Sequence, residues 1–302
     1  MIATYLLLIV SLVILVIVAE KFISINRIKR ARKYFNNFTG IEEIGGFSEV
    51  HPYFHFSGNK EGEAVLLIHG FSASSSEFRF LVEDLKERNI TYFAPMLTGF
   101  GIDDFNLLQK IRNQDWLRDV AYAYDILKEI SGKIHIVGHS MGGLLALHLS
   151  ALRPVDRIIL TSPYLAIKDG HQKGNSIIQN KYVWNIISYF NPVLSKENSR
   201  SAPRLDDENV SKRFAIPVFP LSIVRELWAL LGKLDYNKIK PRNLFIIFGK
   251  DDTTVIPDQV RNLLSGKRIE YTEFEFENCG HNLLEEKNHG QVIKKVIEFL
   301  NL

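Results

Sequence analysis

One stretch limits what this chain can fold into: KIHIVGHSMGGLLALHLSALRP, residues Lys133–Pro154. Strand-forming residues run through Lys133–Gly138 into Gly-His-Ser-Met-Gly-Gly, and an apolar helical pattern follows. A serine pinned between glycines at a strand-to-helix turn is an odd arrangement for packing alone. Gly138-His139-Ser140-Met141-Gly142 fits G-x-S-x-G, in which the serine adopts a strained backbone and small neighbours let strand and helix approach. The helix that follows would aim its N-terminus at the serine, where amides and dipole favour developing negative charge. Ser140 is therefore the candidate nucleophile, and a purely structural turn is the bland alternative.

The surrounding pattern alternates strand and helix. AVLLIH (Ala64–His69) is a continuous apolar run, as expected of a strand buried on both faces. A helix is predicted over Glu77–Arg88, a strand over Thr91–Pro95 and a long amphipathic helix over Gln114–Ile130. Further strands are predicted over Asp156–Ser162, Asn243–Gly249 and Arg268–Phe276, with a closing helix over Gly290–Leu300. This order predicts a mostly parallel central sheet with helices on both faces. Residues 163–240 break the rhythm. They hold aromatic-rich stretches, SIIQNKYVWNIISYF and LSIVRELWALLGKL, between polar and proline-containing turns. Such an insertion reads as a helical lid over a site, with plain extra core helix as the alternative. Trp184, Tyr189, Phe190 and Trp228 are its candidate walls for an apolar chain, or ordinary packing.

A serine hydroxyl needs a base to take its proton, and the base needs an orienting carboxylate. NLFIIFGKDDTTVIP delivers Asp252 three residues after Gly249, the candidate acid, with Asp251 as the alternative. ENCGHNLLEE places His281 after Gly280, in a loop before the final helix, as the candidate base. The order Ser140, Asp252, His281 is the one expected on such a sheet. His139 occupies the variable position of the turn, where its ring should point away. Cys279 lies near His281 but lacks any elbow. An oxyanion hole needs two backbone N–H groups. The candidates are Met141, directly after the nucleophile, and Phe71, in the loop after the early strand. His69 is expected to stabilise that loop.

The chain has 302 residues, 46% of them hydrophobic, enough for a sizeable core. One cysteine excludes an intramolecular disulfide. The net charge of +3 does not indicate a nucleic-acid binder. Six of the 37 basic residues, Lys21, Arg27, Lys29, Arg30, Arg32 and Lys33, sit together, which leaves 31 against 34 acidic ones. Before them, Ile2–Ala19 carry no charge and would span roughly 27 Å as a helix. The expectation is a transmembrane anchor over residues 1–20, contacting the bilayer through residues 2–19. A basic juxtamembrane linker over 21–40 would precede the domain over 41–302. The positive-inside rule then predicts a single-pass, N-out, C-in protein with a cytoplasmic catalytic domain. A buried helix and a cleaved signal peptide are the alternatives; the latter lacks basic residues ahead of the apolar run.

LLIHGF, GHSMGG, FGKDDTTVIP and ENCGHNLLEE, in this order, resemble the α/β-hydrolase superfamily. APMLTGFG (Ala94–Gly101) and DWLRDV (Asp115–Val120) look closest to bacterial carboxylesterases and monoacylglycerol lipases within it. The resemblance covers roughly residues 60–300. It implies the α/β-hydrolase fold and a serine esterase mechanism without metal or organic cofactor. It also implies a small lid that admits apolar acyl chains. It matches Ser140, Asp252 and His281 to the triad, and Phe71 and Met141 to the oxyanion hole. The chain departs from the family at Phe100, where a G-H-G turn is frequent, at His139, where leucine is frequent, and at Ser72-Ala73-Ser74, where another glycine is usual. The expected activity is hydrolysis of small-molecule or lipid-derived carboxylic esters, with no nucleic acid or obligate protein partner. Acyl transfer to an alcohol or thiol would use the same triad, and a non-catalytic binding module is the remote alternative. Serine at the elbow, in place of aspartate, disfavours dehalogenase and epoxide hydrolase chemistry.

Overall fold

The computed structural model describes residues 2–36, 51–101, 105–166, 181–190, 192–195, 215–216, 218–239 and 243–302. The central sheet is built from β1 (Tyr53–His55), β2 (Glu63–Ile68), β3 (Thr91–Ala94), β4 (Lys133–His139), β5 (Arg157–Thr161), β8 (Leu244–Gly249) and β9 (Thr272–Phe276). Their spatial order is β1-β3-β2-β4-β5-β8-β9. Every pairing is parallel except β1 against β3. Helices α2 (Arg79–Glu87), α3 (Phe105–Leu108), α4 (Asn113–Ile130), α5 (Met141–Ser150), α8 (Pro257–Gly266) and α9 (His289–Leu300) connect and cover these strands.

The continuous apolar run of β2 is divided between two cores. Ala64, Leu66 and Ile68 face one side, with Trp116, Val120 and Leu127 of α4 and Leu144 and Leu147 of α5. Val65 and Leu67 face the other, with Leu81 and Leu85 of α2 and Val292, Val296 and Leu300 of α9. Alternation along a strand sends neighbours to opposite faces, so a strand covered on both sides must be apolar throughout. The edge strand β1 has no such signature. It is three residues long with Phe54 exposed, and the sequence pattern did not anticipate it.

Among the described residues between β5 and β8 there is no core strand. The described part contains α6 (Lys181–Phe190), an antiparallel ribbon of β6 (Val193–Ser195) and β7 (Val218–Pro220), and α7 (Leu221–Gly232). Residues 176–180 of the first aromatic stretch lie outside the described residues.

The N-terminal run forms a helix, α1 (Ile2–Asn36), but the expected transmembrane anchor is not borne out. Among the described residues, no helix is long and apolar enough to cross a membrane. Past Ala19 the helix continues through Glu20 and Lys21, and it touches α6 and β6. The single-pass N-out, C-in placement and the bilayer contact through residues 2–19 are corrected accordingly. The linker predicted over 21–40 is helical as far as Asn36, and its remaining residues lie outside the described ones.

The parallel register brings the C-terminal ends of the central strands level. Ile68 pairs with Gly138, Gly138 with Leu160, and Thr161 with Ile247. Helix α5 starts directly against this edge. A Cβ on Gly142 would lie 1.8 Å from the Ile68 carbonyl oxygen, and one on Gly138 would lie 2.5 Å from the Gly142 oxygen. Only glycine permits that approach. We expect Gly142→Ala to cost at least about 3 kcal/mol, because the obstacle is backbone and cannot rotate away. Gly266→Ala, whose Cβ would meet nothing within 4 Å, should instead gain about 0.4–1 kcal/mol by restricting the unfolded chain. Urea unfolding midpoints of the two variants check the contrast.

Candidate active site

The turn between β4 and α5 holds Ser140 at φ 51° and ψ −114°. A side chain in so sparsely populated a region costs on the order of 1–3 kcal/mol, so the surroundings must over-determine it. They do so through the backbone. The Ser140 N–H donates to the Thr161 carbonyl at 3.0 Å, and the Ser140 carbonyl accepts from Gly143 and Tyr164, each at 3.0 Å. The elbow is therefore stitched to both β5 and the segment after it.

Two other strand ends supply the partners of Ser140. After β8, the chain turns so that Asp252 Oδ1 accepts from the Thr254 and Val255 amides at 2.8 and 2.9 Å. Oδ2 is left for His281 Nδ1, 2.8 Å away. His281 follows β9, and its Nε2 lies 3.0 Å from Ser140 Oγ. A carboxylate only accepts, so Nδ1 carries the ring proton and Nε2 accepts from the serine hydroxyl. Asp252 is 5% exposed. Burial works against its ionisation, but the charge and hydrogen bond of His281, with the Val255 amide, hold its carboxyl below the usual range. Asp251 plays no part in this array: its side chain is exposed and its amide donates to the Cys279 carbonyl at 2.9 Å. Cys279 is fully buried.

Met141 opens α5, so its amide has no acceptor within the helix. Among the described residues, neither the Met141 nor the Phe71 amide has an accepting partner. The loop that carries Phe71 is fixed from behind. His69 is fully buried; its Nε2 accepts from the Leu97 amide at 3.0 Å and its Nδ1 donates to the Gly70 carbonyl at 2.9 Å. Burial pushes the His69 pKa down, outweighing the nearby Glu77. The Phe71 ring makes edge contacts with Phe219 at 5.0 Å and Phe100 at 5.5 Å. Such an array can pass a proton from a serine hydroxyl to a histidine while amides receive negative charge on a neighbouring oxygen. Among the described residues, no cluster of His, Cys, Asp or Glu could hold a metal ion.

A sequence model described as the alpha/beta hydrolase family matches residues 65–294. The chain belongs to that family. A carboxylesterase of Bacillus subtilis (strain 168) is 25% identical to this hydrolase over 251 residues, covering 82% of this chain and 95% of that protein. A thermostable monoacylglycerol lipase of Bacillus sp. (strain H-257) is 33% identical over 90 residues, 30% of this chain and 36% of that protein. The solved structure of a metagenome-derived lipolytic enzyme superposes with a TM-score of 0.67 at 21% identity, covering 83% of this chain and 97% of that one.

Two buried glutamates of this α/β hydrolase, not anticipated from its sequence, brace the loops around the site. Glu286 accepts from Gly280 N–H at 2.6 Å and Asn282 N–H at 3.0 Å, the amides on either side of His281. Glu77 accepts from Gly70 N–H at 2.7 Å, beside Phe71. Neither carries a sequence signal: Glu77 follows three serines, and Glu286 sits between Glu285 and Lys287. His139 also differs from expectation. Its ring does not turn away but lies 4.9 Å from that of His281, with Nδ1 on the Thr161 carbonyl at 3.1 Å and Nε2 3.8 Å from Glu77.

The four candidate wall aromatics fall into two pairs. Trp184 is buried and packs edge-on against Trp228 at 5.8 Å, while the more exposed Tyr189 packs against Phe190 at 5.1 Å. Tyr164, adjoining the elbow, packs on the same core as Trp228, and burial pushes its pKa up to about 12.

Two measurements follow from this wiring. Glu286→Ala would leave two buried amides unsatisfied, costing on the order of 3 kcal/mol, and would loosen His281. We expect kcat to fall roughly 10–100-fold with little change in KM, and Glu286→Gln to recover part of the loss. The second concerns acid. His69, His135 and His148 all have pKa values lowered chiefly by burial. Below the ordinary value of about 6.5 the unfolded chain takes up protons that the folded one resists. Stability should therefore fall as pH drops from about 6.5 toward 5, read as a falling urea midpoint. His148→Gln should flatten that fall.

Proposed function

We propose that this hydrolase cleaves carboxylic esters through an acyl-enzyme on Ser140. The observation that carries the reading is the His281 ring, which meets Asp252 at 2.8 Å on one nitrogen and Ser140 Oγ at 3.0 Å on the other. In this reading Ser140 Oγ attacks the ester carbonyl carbon while His281 Nε2 accepts its proton. The carbonyl oxygen becomes an oxyanion facing the Phe71 and Met141 amides. Collapse breaks the bond to the alkoxy oxygen, which takes the proton from His281 and leaves as alcohol. Water, deprotonated by His281, attacks the acyl carbon, and the acid departs as Ser140 regains its proton. Asp252 stays ionised throughout and steadies the imidazolium.

Lipid-derived esters, monoacylglycerols or similar, are the proposed substrates. The support is the lipase and carboxylesterase character of the relatives and the aromatic-rich segment between β5 and β8. We read residues 163–240 as a lid, since they leave the sheet at the C-terminal end of β5, beside the elbow.

The test is hydrolysis of p-nitrophenyl esters from acetyl to long acyl. Ser140→Ala should lower kcat by about 10⁶-fold. Asp252→Asn should lower it by roughly 10⁴-fold through the wrong histidine tautomer. An optimum at medium or long chains would support lipid esters. Equal activity in Ser140→Ala would overturn the assignment.

A further inference from the structure

Away from the triad, a cavity of about 430 Å³ opens where α1 meets α6 and α7. None of Ser140, Asp252, His281, Phe71 or Met141 lines it. Its size lies within the range of about 300–1,000 Å³ typical of small-ligand sites. Its lining combines three features that simple packing does not call for.

The first is charge. Lys21 and Arg225 both line the cavity, no acidic residue does, and neither cation has a carboxylate partner among the described residues. The nearest acids in sequence are accounted for. Glu20 is absent from the lining, and Glu226 turns toward α4, accepting from Asn113 N–H at 3.0 Å. Ser222 lies in the first turn of α7, at the positive end of the helix dipole, and Arg225 stands one turn further in. Two cations with no carboxylate partner among the described residues, and a helix N-terminus, share one concave space that favours something negative.

The second is polarity. Ser188 Oγ and Ser222 Oγ, from α6 and α7, are buried without a hydrogen-bond partner. A buried hydroxyl left unsatisfied costs about 1–3 kcal/mol, and two of them lining one cavity mark a place for an acceptor.

The third is an aromatic wall. Lys21 Nζ stands 3.5 Å from the centre of the Tyr189 ring, and Arg225 lies 5.7 Å from that of Trp184. The cation–π contact explains where Lys21 rests. It explains neither the second cation nor the hydroxyls.

We propose that this cavity binds an amphiphilic anion. A carboxylate or phosphate head sits between Lys21 and Arg225 and accepts from the Ser188 and Ser222 hydroxyls. Its apolar chain lies along Trp184 and Tyr189. The acid released by ester hydrolysis belongs to this ligand class, but the site stands on its own lining and does not depend on that reaction.

Binding to the full chain tests it, with decanoate, decyl phosphate and decanol as probes, none of them a carboxylic ester. Equilibrium dialysis supplies the affinities. Either anion should bind at least roughly tenfold more tightly than decanol, as expected of charge-assisted hydrogen bonds. The tighter of the two anions identifies the head group. Lys21→Met and Arg225→Met should each erase most of that preference without changing decanol binding, and Arg225→Lys should restore it. Anion binding at a product-like position near Ser140 would survive both methionine variants, and that result would overturn the proposal. Equal affinity for decanoate, decyl phosphate and decanol would overturn it too.

Discussion

The backbone of Ser140 lies at positive φ, and the sheet keeps it there. The Thr161 carbonyl fixes its amide, Gly143 and Tyr164 fix its carbonyl, and glycine at positions 138 and 142 lets α5 press against β2 and β4. The strain is held by the most buried part of the molecule, where Val137, Ile159 and Ile68 have no exposed surface. A side chain presented from so rigid a base has little freedom to lose when it engages a partner. The position of Ser140 is thus a property of the whole sheet, not of the turn alone.

The other members of the array arrive on loops, and loops need separate restraint. The protein uses the same device twice. A buried glutamate accepts backbone amides next to the residue that must be placed: Glu286 around His281, and Glu77 behind Phe71. Charge-assisted bonds to backbone are shorter and stronger than neutral ones. A third buried acid, Glu285, pairs with Arg79 of α2, joining the His281 loop to the helix that follows the Phe71 loop. The His281 loop and the Phe71 loop therefore share one polar scaffold beneath the sheet edge, and His139 lies within it between Glu77 and His281.

How far the sequence disclosed this depended on whether a feature is local. The elbow, the Asp252 turn and the His281 loop each carry their signature within about a dozen residues, because a strand end, a tight turn and a helix start are local events. The buried strands were legible for the same reason: a strand covered on both faces must be apolar throughout. Contacts between distant segments left no such trace. Glu77 and Glu286 looked like surface charges until the fold buried them. The ring of His139 was expected to turn away, and only the packing of three loops shows it beside His281. The short edge strand β1 is half exposed and has no pattern to read. At the N-terminus an apolar run was legible, but the step from apolar helix to membrane span was not borne out. A hydropathy pattern states what a helix would bury, not what it meets, and α1 meets α6.

The placement of the inserted segment has its own logic. β5 and β8 are parallel neighbours in the sheet, so the chain between them leaves at the C-terminal end of β5 and crosses back to the N-terminal end of β8. Residues can be added there without disturbing strand order, while they stay tied to the elbow through the Tyr164 amide on the Ser140 carbonyl and through the packing of Tyr164 and Trp228 on one core. Trp228 in turn packs on Trp184, over whose ring lies Arg225 of the outer cavity. A chain of contacts thus runs from the strained serine to the cationic pocket against α1. Anything that repositions Arg225 acts on Trp184 first, and Trp184 is one packed aromatic away from the tyrosine that helps hold the elbow.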